Sequence, residues 1–422
     1  MNFKPAFALA LLLVTLITFY GAKSLATYKT KRRVLGIVCS ILALLPLGIF
    51  KYYNFLNDNI GSLLNTIGLQ FTLPGLNWAV PVGISFFTFQ AVGYFFDVYY
   101  KRVKAEQSLL DYILFVSFFP QILSGPISKA SELLPQLKTF KPFNYAQCVS
   151  GLKWLLWGMF LKLVIADRMD MYVNEIFKNY THYSGTLCLI GSVFYSFQIY
   201  ADFAGYSYMA MGIAKTLGID LINNFKQPYL AISITDFWRR WHISLSRWLK
   251  ENVYIPLGGS RCSKVRNYFN IFVTFLVSGI WHGANWTFIV WGMIHGLVQI
   301  IEKFFHLQSY EGKNVAMKVL KVGVTFILVD FAWIFFRMPD LSSAIDFIRQ
   351  IFTHFGESFS FMDYKLSVFL VFIILKDFID EFKPSLLHFN SVCLRYSVYS
   401  FLVILILLTG VLSSGQFIYV SF

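Results

Sequence analysis

Charged residues are scarce in this chain. They make up 14% of its 422 residues, whereas a typical soluble domain contains roughly 25%. Hydrophobic residues make up 57%, and phenylalanine alone occurs 46 times. So little charge cannot cover the surface of an ordinary soluble domain of this size, which excludes that class. The composition predicts a polytopic membrane protein.

Several common site patterns are also missing. The five cysteines are scattered without C-x-x-C spacing, so the sequence predicts neither a disulfide framework nor a zinc site, and we expect no bound metal. The G-x-S-x-G, H-E-x-x-H, Walker A and G-x-G-x-x-G patterns are absent. No histidine is followed by aspartate five positions later. These absences exclude several familiar hydrolase, nucleotide-binding and acyltransferase arrangements.

Apolar stretches near the length needed to cross a hydrocarbon core of about 30 Å recur along the chain. Lipid cannot satisfy backbone N–H and C=O groups, so these spans must be helices, and the fold is predicted to be all-α, with one membrane domain over residues 1–422. The first span, at Ala6 to Tyr20, lacks a cleavage pattern and is expected to be retained. The ten predicted spans lie at about 6–21, 34–50, 77–96, 150–167, 186–212, 268–281, 285–302, 318–336, 366–380 and 398–416.

The net charge of +14 is unevenly placed. Basic clusters follow the first, third and seventh predicted spans: Lys23, Lys29, Lys31, Arg32 and Arg33, then Lys101, Arg102 and Lys104, then Lys303, Lys313, Lys318 and Lys321. All three clusters fall on one side, which the positive-inside rule predicts to be cytoplasmic, with both termini outside. On the same side lies the loop at about 215–268, with nine basic and three acidic residues. Because the charges flank spans, a nucleic-acid partner is not expected.

The segment FWRRWHISLSRWL at Phe237 to Leu249 is amphipathic. Placed on one continuous helix, one face carries Trp238, Trp241, Leu245, Trp248 and Leu249, and the opposite face carries Arg239, Arg240, Arg247 and Lys250. This pattern predicts a helix lying in the membrane interface with its Trp rings at headgroup level. A simple lipid anchor is an equally good interpretation. His242 departs from it, since the helix would place its ring on the apolar face.

Two further features suggest a cavity within the membrane. Pro120, Gly125 and Pro126 interrupt an apolar segment, which is tolerated at membrane depth only where protein or water receives the freed backbone groups. We therefore expect a re-entrant element lining a cavity. Asp202 is a buried-looking acid that either contacts a reacting group or holds helices together.

His282 lies in SGIWHGANW at Ser278 to Trp286, an aromatic segment where an ionisable group is costly and suggests function. Imidazole, with an unperturbed pKa near 6.5, can act as a base near neutral pH. Asn285 and Trp286 could supply hydrogen-bond donors beside it. The alternative is a histidine satisfied by a carbonyl. His295 is expected to pack against or bond a neighbouring helix.

These motifs carry a resemblance. PVGISFFTFQAVGYFFDVY at Pro81, FFPQILSGPISK at Phe118, ADFAGYSYMAMGIAKTLGI at Ala201, NFKQPYLAISITDFWRRWHISLSRWLKENVYIPLGGSR at Asn224 and SGIWHGANWTFIVWGMIHG at Ser278 resemble the membrane-bound O-acyltransferase family. YIPLGGSR is similar to its alginate and peptidoglycan O-acetyltransferase branch. The teichoic acid D-alanyl branch shares both histidine motifs but typically lacks PLGG. Relative to its branch, the N-terminus is expected to be short.

The resemblance implies a fold of about ten transmembrane helices with re-entrant and interfacial helices around a central tunnel. It implies that His282 is catalytic and His242 functionally important. From the residues themselves, the candidates for the substrate and donor path are Asp202, Asn285, Trp286, Trp241, Arg239 and Arg240. The basic residues would meet an anionic donor or lipid headgroups. The donor would be acetyl-CoA or an acyl carrier thioester, bound as a substrate and not as a tight cofactor.

The implied function is O-acyl transfer, most simply of acetyl, across a bacterial cytoplasmic membrane toward an extracytoplasmic polysaccharide such as alginate or peptidoglycan. Membrane lipids, a carrier protein and a secreted SGNH-type acetyltransferase are the expected partners. Two alternatives remain open: D-alanyl transfer to teichoic acid, and a transporter that moves an acyl group or lipid without bond chemistry. Transporters often show internal repeats and charged relays in mid-membrane, and we find no repeat.

Overall fold

The structure, a computed structural model, describes residues 5–28, 30–69, 73–309, 312, 314–354, 356, 361–387 and 391–411, and within these it leaves aside the side chains of residues 5, 6, 361–367 and 369. Over this part of the chain every regular element is a helix, which confirms the all-α prediction. The α-helices are α1 (Pro5–Thr27), α2 (Arg32–Leu47), α3 (Tyr53–Thr66), α4 (Ile84–Tyr99), α5 (Leu109–Val116), α6 (Ala130–Lys138), α7 (Tyr145–Met159), α8 (Asp167–Lys178), α9 (Gly185–Thr216), α10 (Ile234–Arg240), α11 (Ile243–Leu249), α12 (Lys264–His282), α13 (Trp286–Phe304), α14 (Val315–Arg337), α15 (Leu341–Thr353), α16 (Phe361–Phe382) and α17 (Val392–Thr409).

Shorter helical segments join or separate these helices. Three are π-helical, at Gly48–Tyr52, Phe160–Ala166 and Lys250–Tyr254, and three are 3₁₀ helices, at Tyr180–His182, Pro228–Leu230 and Pro384–Leu387. The first two π-helical segments lie inside long continuous helical runs, at 32–66 and 145–178. Such π-segments often occur at functional positions, because they rotate the side chains that follow them.

Six helical runs are long and apolar enough to cross a membrane: Phe7–Thr27, Arg32–Thr66, Tyr145–Lys178, Gly185–Thr216, Val315–Arg337 and Val392–Thr409. Each overlaps a predicted span. The other four predicted spans coincide with α4, α12, α13 and α16, although residues 77–83 of the third are not helical. Residues 412–416 of the tenth predicted span, like Met1 of the topology prediction, lie outside the described part. The count of ten spans stays a prediction.

The long helix α9 forms the centre of the fold, because 78% of its most apolar window is buried. It packs closely against α7 at glycines. A Cβ added to Gly158 would lie 2.6 Å from the carbonyl oxygen of Gly205, so only glycine allows the two backbones to approach in this way. Contact between small residues is a common means of helix association in membranes, where lipid provides no hydrophobic force between helices.

The segment interrupted by prolines, residues 117–129, is not helical. Two of its backbone groups bond to other parts of the protein, whereas the re-entrant path of the segment stays a prediction. The Tyr206 hydroxyl donates to the carbonyl of Pro120 at 3.3 Å, and the N–H of Ile127 donates to Ser244 Oγ at 2.9 Å. The segment therefore connects α9 to α11 through hydrogen bonds that replace those of a continuous helix.

Candidate active site

His282 is the last residue of α12 and is 3% exposed. Its ring lies edge-to-face against Trp291 of α13 and Phe336 of α14, with ring centroids 4.9 and 5.0 Å away. Rings in this arrangement fix the orientation of a side chain while leaving its nitrogen atoms in the plane between them. Aromatic packing from two neighbouring helices therefore sets the direction in which the imidazole points.

Glycines bring α12 and α13 close enough to make these contacts. A Cβ on Gly279 would overlap the carbonyl oxygen of Phe288, and a Cβ on Gly292 would overlap that of Phe275. Gly283, which follows His282, has its backbone against the ring of Phe288. A side chain at any of these three positions would push α13 away and separate Trp291 from the histidine.

A lysine and a tyrosine from the second helical run hold the carboxyl end of α12. Lys51 Nζ donates to the carbonyl oxygens of Trp281 and His282 at 2.9 and 2.8 Å. The Tyr52 hydroxyl donates to the carbonyl of Ile280 at 2.7 Å. The last carbonyls of a helix lack partners within it, and a cation also interacts favourably with the negative end of the helix dipole. Residues of the π-helical segment thus fix the position of His282.

His242 lies at a break between α10 and α11, so the prediction of one continuous helix over Phe237 to Leu249 is wrong. The backbone of His242 is left-handed, with φ 43° and ψ 54°. Asn224 holds this conformation: its carbonyl accepts from the N–H of Ile243 at 3.0 Å, and its Oδ1 accepts from the N–H of Ser244 at 3.1 Å. These bonds replace the helical ones that the break removes.

The break also changes where the tryptophans go. Trp238 and Trp241 are buried in the protein instead of lying at headgroup level as predicted. Trp241 stacks on Phe237, with centroids 5.5 Å apart, and lies 5.2 Å from Trp333 of α14. Periodicity correctly identified the apolar face, but that face packs against other helices.

The two candidate histidines meet at one tryptophan. The Trp281 ring centroid lies 6.1 Å from that of His242 and 4.8 Å from that of His282. His242 is fully buried and makes an edge-to-face contact with Phe203 at 4.6 Å. The structure therefore brings together the two motif histidines, from segments forty residues apart in sequence, in one aromatic cluster.

His295 of α13 is a third buried histidine near this cluster, and it bonds a neighbouring helix as predicted. The Trp238 indole N–H donates to its Nδ1 at 3.3 Å. An accepting Nδ1 leaves the proton of a neutral imidazole on Nε2. Trp291 lies 4.9 Å from both His295 and His282 and so separates the two rings.

A cavity of about 320 Å³ lies beside α12 between Ile271 and Ser278, where this helix meets α10, α11 and α13. We call it the basic cavity. Its lining includes the cations Arg239, Lys250 and Lys303, of which the first two are exposed. At its inner end lies Ser278, one helical turn before His282. The full lining is Thr235, Trp238, Arg239, Ser246, Leu249, Lys250, Tyr254, Ile271, Thr274, Phe275, Ser278, Gln299, Lys303 and Gln308.

A second cavity, of about 570 Å³, lies at the other end of the α12–α13 pair. We call it the Arg337 cavity. Phe336, which contacts His282, forms part of its wall, together with Phe288 and Asn285. The full lining is Phe177, Lys178, Tyr180, Asn285, Phe288, Phe336, Arg337, Met338, Pro339 and Ser343. His282 itself lines neither of these two cavities, but its neighbour Phe336 lines one of them and Ser278, one helical turn earlier, lines the other.

Two candidate residues that follow His282 in sequence form hydrogen bonds elsewhere. Asn285 begins α13: its Oδ1 accepts from the N–H of Thr287, and its Nδ2 donates to the carbonyl of Pro339 at 2.5 Å. Trp286 is half exposed and donates from Nε1 to Asn59 Oδ1 at 2.9 Å. Both contacts fix the turn between α12 and α13, which positions His282.

The charged candidates separate into two groups. Arg239 lines the basic cavity, whereas Arg240 is paired with Asp236 at 3.1 Å and with Glu381 of α16 at 3.0 Å. Asp202 is paired with the buried Lys162 at 2.6 Å.

Lys162 also bonds Asp167 at 2.7 Å, so its ammonium lies between two carboxylates. This arrangement compensates three buried charges and links α9 to the π-helical segment at Phe160–Ala166.

Sequence reasoning missed Lys51, Asn224 and Ser278. A signal existed for Lys51, since it is a cation inside an apolar helical run, where an ionisable residue suggests function. Asn224 and Ser278 lie within motifs that we quoted. Their roles depend on contacts with a distant segment or a cavity, which no local pattern records.

Comparisons with known proteins show the family to which the chain belongs. The model of the membrane-bound O-acyltransferase family matches residues 100–337. The chain is 38% identical over 349 residues to the probable alginate O-acetylase AlgI of Pseudomonas syringae pv. tomato, covering 82% of this chain and 64% of that protein. It is 36% identical over 369 residues to a peptidoglycan O-acetyltransferase of Helicobacter pylori, covering 81% and 68%. A teichoic acid D-alanyltransferase of Bacillus subtilis is 27% identical over 343 residues, covering 78% and 84%. The chain therefore spans 64% of the length of the first of these relatives.

Proposed function

The chain belongs to the membrane-bound O-acyltransferase family and is a multi-pass membrane protein, and we propose that it passes an acyl group, most simply acetyl, from a thioester donor on one side of the membrane toward a hydroxyl on the other. The position of His282 carries this proposal. The residue is buried one helical turn after Ser278, which lines the basic cavity, and against Phe336, which lines the Arg337 cavity. In this proposal the donor reaches His282 from the first cavity and the acceptor from the second.

His282 acts as the general base in this proposal. The imidazole takes the proton of the acceptor hydroxyl as its oxygen attacks the thioester carbonyl. The C–O bond forms, the C–S bond breaks, and the leaving thiolate receives the proton. The surrounding rings of Trp291 and Phe336 exclude water, which protects the thioester from hydrolysis.

The donor enters from the basic cavity. Arg239 and Lys250 at its exposed edge, with Lys303, provide the positive charge that an anionic coenzyme or an acidic carrier protein requires. The positive charge of these loops favours the cytoplasmic side of a bacterial inner membrane for this face. In this view acetyl-CoA or an acyl carrier thioester is a substrate that leaves after each turnover.

The acceptor approaches from the Arg337 cavity, outside the cytoplasm. The names of the two most similar relatives described above concern alginate and peptidoglycan, which supports a polysaccharide hydroxyl as the final acceptor. The immediate acceptor is either that hydroxyl or one on a secreted SGNH-type acetyltransferase. D-alanyl transfer is the second candidate, because a teichoic acid D-alanyltransferase also matches most of the chain.

Proteoliposomes that contain the full chain test the proposal. Vesicles with the basic loops outward receive radiolabelled acetyl-CoA, or a D-alanyl carrier thioester, outside and alginate or peptidoglycan fragments inside. We expect ester formation to fall about 100- to 10,000-fold in His282→Gln, because an amide cannot accept a proton at neutral pH. His182→Gln, at an exposed loop histidine, is the matched control and should be unchanged.

Two results would contradict this function. A folded His282→Gln variant with near-normal ester formation would exclude the histidine base. Entry of the labelled acyl group without any ester, in vesicles that contain the acceptor, would identify a transporter.

A further inference from the structure

Ser278 has a buried hydroxyl that the fold itself does not use. The residue lies on α12, is 1% exposed and lines the basic cavity. Among the residues that the structure describes, none forms a hydrogen bond with its Oγ. A hydroxyl removed from water without a partner costs roughly 1–3 kcal/mol. Such a group is retained at this cost only where something else compensates it, and a ligand in the cavity can do so.

Several other hydroxyls on helices of this protein are satisfied by their own helix, although those of Thr88 and Thr287 are, like that of Ser278, buried without a partner among the described residues. Thr274, one turn earlier on α12, donates to the carbonyl of Asn270 at 2.6 Å, and Ser40 on α2 donates to that of Gly36 at 2.7 Å. A serine in a helix interior usually bonds the carbonyl four residues back in this way. Ser278 lacks such a bond and, unlike Thr88 and Thr287, lines the basic cavity, which makes its hydroxyl a candidate contact for a molecule bound there.

The location of Ser278 relative to His282 indicates which atom it would contact. Residues four apart lie on the same helix face, about 6 Å apart along the axis. Among the residues that line the basic cavity, the cations Arg239 and Lys250 are exposed. Trp238 and Ser278, which also line it, are buried. Anionic groups of a donor would remain at the outer cations, so its acyl end would reach Ser278.

We propose that the Ser278 hydroxyl donates a hydrogen bond to the carbonyl oxygen of the acyl thioester and holds the acyl group one turn below His282. This inference rests on the proposed function and assigns a donor-contacting residue within it. The same bond strengthens as negative charge develops on that oxygen during attack, so it contributes to rate as well as to placement.

The test compares acetyl-CoA, which has the acyl carbonyl, with coenzyme A, which lacks it. In Ser278→Ala, kcat/KM for acetyl-CoA should fall about 10- to 100-fold, the range between loss of a neutral hydrogen bond and loss of an oxyanion donor. The Kd of coenzyme A itself, measured by calorimetry on the purified full chain, should not change, because coenzyme A has no acyl carbonyl. Thermal stability should be equal or higher, since the variant removes an uncompensated buried group.

Ser40→Ala is the matched control, since it deletes a hydroxyl that its own helix already satisfies, and it should leave both measurements unchanged. Equal kcat/KM in Ser278→Ala and wild type would overturn the proposal. So would an equal loss of coenzyme A binding, which indicates cavity collapse, or acyl label retained covalently on Ser278, which indicates a nucleophile. If the proposed function itself fails, the wild-type chain forms no ester with either donor, and that outcome is separate from these.

Discussion

His282 ends a helix of 19 residues, whereas His242 separates two helices of seven residues each. The first histidine has ordinary helical geometry and is fixed by glycine-mediated packing of α12 against α13. The second has a left-handed backbone and is fixed by hydrogen bonds from Asn224. Both rings nevertheless meet at Trp281.

The comparison shows that the same aromatic cluster is assembled by two mechanisms. A helix end leaves carbonyls without partners, and Lys51 and Tyr52 provide donors for them. A helix break leaves N–H groups without partners, and Asn224 provides acceptors. In each case a polar side chain from a distant segment makes the interruption stable, and the interruption directs the imidazole. Three sets of substitutions test this comparison, from the largest expected effect to the smallest.

Lys51→Met should have the largest effect. It removes the ammonium that donates to the carbonyls of Trp281 and His282, although the Tyr52 hydroxyl still donates to the first at 3.4 Å. A buried acceptor left without a partner costs about 1–3 kcal/mol. We expect a lower melting temperature in detergent and a loss of acyl transfer of at least about 10-fold, since a displacement of about 1 Å can cost 100-fold.

Lys104→Met, in an exposed loop, is the control for Lys51→Met and should change neither measurement. A Lys51→Met protein with normal melting and normal transfer would show that α12 does not need this anchor.

Glycine and alanine should have opposite effects at the two histidines. At position 242 a Cβ in the left-handed region is unfavourable, so His242→Gly should be more stable than His242→Ala by about 1 kcal/mol. At position 282 the backbone is helical, so His282→Ala should be more stable than His282→Gly by about 0.5–1 kcal/mol. Thermal unfolding of the four variants measures both differences. The same order at both positions would contradict the difference in backbone conformation.

Arg247→Ala should have the smallest effect. Arg247 pairs with Glu132 at 2.6 Å, and the carboxylate side chain is 46% exposed, so the pair contributes about 0–1 kcal/mol. His242→Ala is expected to lower transfer much more while the protein remains folded and inserted. Equal losses from both variants, with poor membrane yield, would instead support the simple anchor interpretation of this segment.

The helix interruption predicted at Pro120 to Pro126 is confirmed, because prolines act on their own backbone, whereas the re-entrant path and the cavity stay predictions. They remove helical hydrogen bonds wherever they occur in a span, and the freed groups must then find protein partners. The structure provides Tyr206 and Ser244. The prediction of one helix over Phe237 to Leu249 was wrong because the break in it depends on a residue outside the segment. No proline or glycine marks the break at His242, because the partner that stabilises it, Asn224, is 18 residues away in sequence.

The roles assigned to His282, His242, Asp202, Asn285, Trp286, Trp241, Arg239 and Arg240 stay predictions. What the structure adds is their grouping. Arg239 shares a cavity with Ser278, whereas Arg240 and Asp202 form ion pairs with other helices. Spacing along one helix could not make this distinction, because it does not show which neighbour covers each face.

The sequence by itself determined that the protein lies in a membrane, that its fold is helical and which family it resembles. The length of apolar stretches, backbone hydrogen bonding in lipid and the histidine motifs are all properties of local segments. Only the tertiary structure decided where helices stop at the two histidines, which cation holds α12, and which hydroxyl faces a cavity without a partner. Those features depend on hydrogen bonds and packing between segments as far apart as Lys51 and His282, and the energy of such contacts is not expressed in any local pattern of the chain.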